Sequence, residues 1–365
     1  MRRLLPLLIL VSIGCGTAAG IPESEPPTAA AAPTPTPFAT PAPQSLPATG
    51  CAPQTFVGGS PGLAVQYENL ALDGASLAFI EGVSWDASTR TSGGDWLSIV
   101  DRETGTTKRR LARFDGGAQA IAFDANAFYI AVWGSATRTG KSTGWLAHVD
   151  RASGETTTLT TGLSLSWSLA GMDDTLVFSN RTDDGSLIEL RTVAKAGGAS
   201  TAIGTGLVEH AKILTDAGGV AWVESTGAGD GTQRLVHRSG QVTTELARGR
   251  LVPTALARQG DVFYFADDTG VFSVPLGGGA PTAVAVAPRV LEVFAHAKAV
   301  AWLQGESHGG DLAIHDDAAL MAVPATGGVA TKVAAVRFPH DLVADDAWFY
   351  WVDNQKEIRR VCRPF

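Results

Sequence analysis

The chain has little of what several functional classes need. Only three cysteines and seven histidines occur among 365 residues, which leaves few ligands for a metal cluster. Charged residues make up 18%, and acidic side chains outnumber basic ones 36 to 28, for a net charge of −8. A broad basic footprint is missing, so no nucleic-acid partner is expected. No Walker phosphate loop, His-Glu-x-x-His or Cys-x-x-Cys motif is present. No long stretch carries the apolar spacing of an amphipathic helix. Low charge does not mean disorder here, because 45% of residues are hydrophobic and supply apolar surface to offset ordering entropy.

Glycine and proline are plentiful instead, at 42 and 19. Nine of the prolines fall within residues 21–50, among Ala and Thr. Such chain favours extended polyproline II at about 3.1 Å per residue and has no core to bury. Ahead of it, Arg2 and Arg3 precede an apolar run at residues 4–13. That run falls short of the roughly 20 residues of a membrane-spanning helix and has the form of a secretory signal. The Ser12-Ile13-Gly14-Cys15 segment resembles the lipobox of bacterial lipoproteins. The resemblance implies cleavage before Cys15, lipidation of Cys15 and, with Gly16 following, an outer-membrane lipoprotein facing the periplasm or the cell surface. Ordinary cleavage after residues 17–19, releasing a soluble periplasmic or secreted protein, is the alternative. The expected layout is a signal peptide at 1–14, a lipid-anchored tether at 15–50 and a folded domain at 51–365.

The folded part repeats. Seven segments share an apolar strand, a turn and an aromatic-rich strand, reaching Phe79, Tyr129, Phe178, Trp222, Tyr264, Trp302 and Tyr350. The steps are 50, 49, 44, 42, 38 and 48 residues, a mean near 45. Asp73, Asp124, Asp173, Asp216 and Asp345 occupy the turns, where a short carboxylate bonds nearby backbone N–H groups. A second ladder of turn glycines runs out of phase, at Gly105, Gly154, Gly197, Gly240, Gly277 and Gly327. Each unit reads as two hairpins, and a period near 45 with four strands marks a β-propeller blade. Residues 52–365 hold 314 positions, close to seven such units. The expected fold is therefore all-β, a seven-bladed β-propeller with four antiparallel strands per blade; six or eight blades are alternatives. The last unit lacks an outer strand, which residues 54–57 are placed to supply.

Residues 345–353 and the turn at 274–279 resemble those of TolB-like and YWTD-like propellers. The resemblance implies the fold. The Tyr-Trp-Thr-Asp order itself is absent, so receptor roles do not carry over. With Cys15 lipidated, Cys51 and Cys362 remain in an oxidising compartment, one before the closing strand and one in the last hairpin. A disulfide across the ring's seam is expected; two free thiols are the alternative.

Propeller ligands usually sit where the innermost strands begin. Counting back ten residues from the aromatics, or one or two more in two blades, gives Glu68, Gln119, Ser168, His210, Thr254, Glu292 and His340. All seven are polar. They form either a ligand-binding rim or a rim that is polar because it is wet. Glu68, His210, Glu292 and His340 are weak candidates for a calcium or zinc site, which would need three or more converging ligands. No other cofactor is expected. Long segments at 83–95, 134–144 and 305–317 open on the same face in neighbouring blades, and Trp85, Arg90, Trp133 and Arg138 are the binding candidates there. His308, Asp311, His315 and Asp316 read as a polar loop rather than a metal site. The Gly58–Gly62 stretch matches a nucleophile-elbow pattern but lacks the strand–turn–helix setting, so Ser60 reads as a turn residue.

Two functions fit these features. The first is a monomeric, non-catalytic binding module of the cell envelope, contacting an envelope protein, peptidoglycan or polysaccharide and touching the membrane only through its lipid. The second is a metal-dependent hydrolase or lactonase working in the channel.

Overall fold

The computed structural model describes residues 51–58, 65–83, 94–106, 109–134, 143–182, 184–216, 218–227, 230–305 and 318–364. The signal, Cys15 and the tether lie outside them, as do Trp85, Arg90, Arg138, Ser60 and the four polar residues of the 305–317 segment. Among the described residues the chain forms 28 strands, β1 to β28, and no helix.

The strands make seven sheets of four. Blade one is β2 (Val65–Asp73), β3 (Ser76–Val83), β4 (Asp95–Asp101) and β5 (Arg109–Phe114), in that spatial order. Blades two to six repeat the pattern over residues 117–163, 165–205, 214–249, 251–286 and 290–335. Blade seven holds β26 (His340–Ala344), β27 (Trp348–Asp353) and β28 (Glu357–Cys362), and takes β1 (Gln54–Val57) as its outer strand. The blade count and the closing strand both match the expectation from sequence.

The core is distributed around the ring. Side chains alternate across a strand, so a strand between two sheets is apolar on both faces. β7 (Ala127–Trp133) illustrates this. Its Phe128, Ile130 and Val132 join a cluster shared with blade one, whereas Ala127, Tyr129 and Ala131 join one shared with blade three. Among the described residues there are seven such clusters, one at each contact between neighbouring blades. The cluster of Phe56, Tyr67, Phe79, Tyr350 and Val352 joins blade seven to blade one and closes the circle. Each repeated aromatic is buried, and burial of one such side chain is worth about 1.5–3 kcal/mol.

The seam is fastened on the face where β28 ends. Gln54 of β1 sits opposite Arg360 of β28, and Cys51 is disulfide-bonded to Cys362 with Cα atoms 5.7 Å apart. The Arg360 guanidinium lies 4.5 Å from the ring centre of Phe56 and 4.3 Å from that of Trp348, which favours a cation. It also donates to the carbonyls of Arg102 and Glu103 in blade one, at 3.2 and 3.0 Å.

The turn chemistry largely follows the sequence. The Asp124 carboxylate accepts the N–H groups of Asn126 and Ala127 at 2.9 and 3.1 Å, and the Tyr129 hydroxyl at 2.9 Å. Asp345 repeats the arrangement with Ala347, Trp348 and Tyr350. Gly277 lies in the blade-five turn, and the left-handed position there is the next residue, Gly278, with φ of 81°. Gly278 follows Val274 by four residues, as Gly197 follows Val193 and Gly327 follows Val323.

Candidate functional site

The first strand of every blade starts on one face of the ring. Gln66 near the start of β2 is opposite Gly82 near the end of β3, which in turn is opposite Asp95 at the start of β4. The segments linking second to third strands therefore leave from that same face. There the structure brings together all seven rim residues, Glu68, Gln119, Ser168, His210, Thr254, Glu292 and His340, around one cavity of about 900 Å³. The chain distance from rim residue to aromatic is nearly constant although the first strands run from three residues in β14 (Leu214–Asp216) to nine in β2, and His210 sits in a turn ahead of β14.

The seven side chains do not share one task. Ser168 in blade three donates its hydroxyl to the carbonyl of Ala211, which precedes the first strand of blade four. Thr254 in blade five donates to the carbonyl of Leu291 in blade six at 2.6 Å. Glu292 in blade six accepts the N–H of Leu342 in blade seven at 2.9 Å, and its other oxygen lies 3.4 Å from the Lys212 ammonium. Each of these three residues ties its own blade to another. Burial raises the Glu292 carboxyl above its ordinary value, against the pull of Lys212.

Blades seven, one and two differ. The Glu68 carboxylate has no hydrogen bond or ion pair with another described residue. Desolvation raises its carboxyl, and the nearby His340 offsets only part of that. Gln119 is 6% exposed, and its Oε1 is buried without a hydrogen-bond partner. The Nε2 of His340 is likewise buried and unpartnered, while its Nδ1 lies 2.6 Å from Asp341 Oδ2. Burial pulls the His340 imidazole down, but the Asp341 carboxylate and the charges of Glu68 and Glu292 outweigh it and hold it above its ordinary value. Burial pushes Asp341 up, and His340 together with the Asn69 N–H brings it below the usual carboxylate range.

Fastening in this arc falls to residues beside the rim positions. Asp341 accepts the Asn69 N–H across the seam at 2.7 Å, and the Gln355 carbonyl accepts that of Tyr67 at 3.0 Å. Asp95 accepts the N–H of Ala118, binding blade one to blade two at 2.6 Å.

His210 completes the rim in blade four. Its ring lies 5.2 Å from that of Trp167, which in turn meets Trp133 edge-on at 6.4 Å. Trp167 and Trp133 are 42% and 44% exposed, so blades two to four present an aromatic row at the mouth. Trp133 is the one loop-face candidate among the described residues. The four weak metal candidates stand on blades four, six, seven and one, spread around the channel. Among the described residues, no group of three or more His, Cys, Asp or Glu side chains is placed to hold a metal ion.

Sequence reasoning missed Asp341, Lys212, Asn69 and Trp167. Asp341 and Asn69 are immediate neighbours of the rim positions His340 and Glu68. A further signal was invisible in the residue string. Of eight non-glycine residues with positive φ among the described residues, six line this cavity: Asn69, His210, Phe338, Asp341, Asn354 and Gln355. Such conformations cost about 1–3 kcal/mol each and collect where a site requires them.

No family model matches the chain, and no curated protein matches its sequence. Solved structures resemble it in fold. The oligogalacturonate lyase of Vibrio parahaemolyticus is 12% identical, with a TM-score of 0.56 over 87% of this chain and 98% of its own. The β-propeller domain of the trilobed protease of Pyrococcus furiosus is 9% identical, with a TM-score of 0.55 over 81% and 93%. The shared property is the propeller fold. The protease domain is described as having an open velcro topology, whereas here β1 closes the last blade. A TolB-like protein of Agrobacterium tumefaciens is 12% identical over 63% of this chain and 85% of its own, at a TM-score of 0.47.

Proposed function

We propose that the chain is a non-catalytic binding module of the cell envelope, held by a lipid on Cys15 and the proline-rich tether, with the channel mouth as its recognition site. The observation that carries this reading is the set of unpartnered polar groups in three consecutive blades. Glu68, Gln119 Oε1 and His340 Nε2 all belong to residues lining one cavity, while Ser168, Thr254 and Glu292 elsewhere on the rim are paired. A buried polar atom without a partner costs about 1–3 kcal/mol, and an incoming ligand that pairs it recovers that cost. A rim that was polar only because it is wet would not need buried, unpartnered acceptors. The disulfide at the seam supports an oxidising, exported location.

The test uses the purified chain and a set of defined envelope probes: basic and acidic peptides, a muropeptide and a neutral oligosaccharide. Binding of at least one probe is expected to weaken about tenfold in a Glu68→Ala, Gln119→Ala double variant that still melts cooperatively, since tenfold corresponds to about 1.4 kcal/mol. If every probe binds the variant and the parent alike, the mouth is not the recognition site.

A further inference from the structure

The open groups at the mouth have a common chemical sense. The Glu68 carboxylate and Gln119 Oε1 are acceptors, and neither has a described donor. Three carboxylates, Glu68, Glu292 and Asp341, line the cavity with one ammonium, Lys212. Lys212 is already taken by Glu292. The His340 Nδ1 faces Asp341, which favours a proton on Nδ1 and leaves a lone pair on Nε2 when the ring is neutral. The ring of Trp167, 42% exposed and tilted by 35° against that of His210, supplies an aromatic face on the wall of the same cavity. Saccharide hydroxyls both donate and accept, so a wall of acceptors satisfies them only in part. Guanidinium and ammonium groups donate only, carry the complementary charge and stack on indole rings.

We infer that the channel mouth receives an arginine or lysine side chain of a peptide partner, with Glu68 and Gln119 as acceptors and the Trp167 ring beside the cation. The inference rests on the binding-module reading above and gives it a ligand class. The left-handed backbone at Asn69 and Asp341 serves this site, since it turns both residues into the seam. There the Asn69 N–H, the Asp341 carboxylate and His340 hold one another and leave Glu68 unengaged.

The experiment titrates the full chain with the peptide Ac-Gly-Arg-Gly-amide, with the same peptide carrying citrulline in place of arginine, with argininamide and with a neutral N-acetylglucosamine disaccharide. The arginine peptide is expected to bind about tenfold or more tightly than the citrulline peptide, because a charge-assisted hydrogen bond is lost with the charge. Glu68→Gln is expected to erase most of that difference. The citrulline arm changes only the ligand, so it reads the site even if a variant folds poorly. Affinity is expected to rise as pH climbs through the raised values of His340, Glu68 and Glu292, because the imidazole gives up its positive charge and the two carboxyls give up their protons. Asp341, held below the usual carboxylate range, is already charged, and Asp95, raised by burial, changes in the same sense as the glutamates.

Equal binding of arginine and citrulline peptides, or parent-like affinity in Glu68→Gln, overturns the inference. Argininamide binding as tightly as the peptide overturns the assignment to a peptide partner. Disaccharide binding that depends on Glu68 overturns the cation while leaving the binding module standing. Indifference of every probe to the rim variants removes both.

Discussion

Two arcs of one rim, built at equivalent sequence positions, behave differently. In blades three, five and six the rim side chain is a fastener: Ser168, Thr254 and Glu292 each bond the backbone of another blade. In blades seven, one and two the rim side chains His340, Glu68 and Gln119 keep an atom without a partner. Asp341, Gln355 and Asp95 hold the blades together there, along with the disulfide and Arg360 at the seam. The contrast teaches that polarity at a repeated position does not define a role. The role depends on whether the neighbouring blade presents a group to be bonded.

The largest effect is expected at the seam, where a clamp away from the mouth keeps the open arc in place. Replacing Cys51 and Cys362 with Ser should lower stability by about 5 kcal/mol in denaturant unfolding, since the bridge closes a loop with a sequence separation of 311. A loss under about 1 kcal/mol would mean that the paired arc alone holds the ring closed.

Glu292 and Glu68 provide the sharper comparison. Glu292→Ala strands the Lys212 ammonium and the Leu342 N–H and should cost about 2 kcal/mol. The cost is below that of a fully buried pair because Lys212 retains a side-chain exposure of 34%. Glu68→Gln removes no described bond and should change stability by no more than about 0.5 kcal/mol. Equal costs at the two positions would erase the distinction between the arcs.

The smallest effect concerns Asp341 and His340. By NMR titration, Asp341→Asn should move the His340 imidazole down from its raised value, because the largest favourable charge beside it is removed. The sign for stability follows from linkage. The contribution of a raised imidazole is fully present below its ordinary value near 6.5 and is lost as pH climbs through the raised one. The parent should therefore lose stability over that window, and Asp341→Asn should show a flatter profile. An unmoved imidazole would separate His340 from the seam.

Much of the fold was legible because blades are local. The aromatic ladder marks the second strand of each sheet, and its period alone counts seven units. The closing strand was legible as a missing one. The seven rim residues were legible as a position, since the number of residues from mouth to aromatic is similar in every blade even where the first strand is short. Their division into paired and open groups was not, because Ser168 finds Ala211, and Glu292 finds Leu342, only through the angle between separate sheets. Asp341 and Lys212 escaped for the same reason, and the left-handed backbone at Asn69 and Gln355 has no composition signal of the kind that marks a glycine turn.

The outer strand of blade seven carries a kinetic consequence. Gln54–Val57 emerges early in synthesis, yet its partner Glu357–Cys362 lies at the far end of the chain. Blades one to six can each condense from neighbouring residues as they appear. The earliest strand must wait, edge exposed, until the last hairpin arrives, and contacts of such long range are slow to form. Completion of the circle therefore cannot precede the synthesis of β28, however early the outer strand of that blade is made.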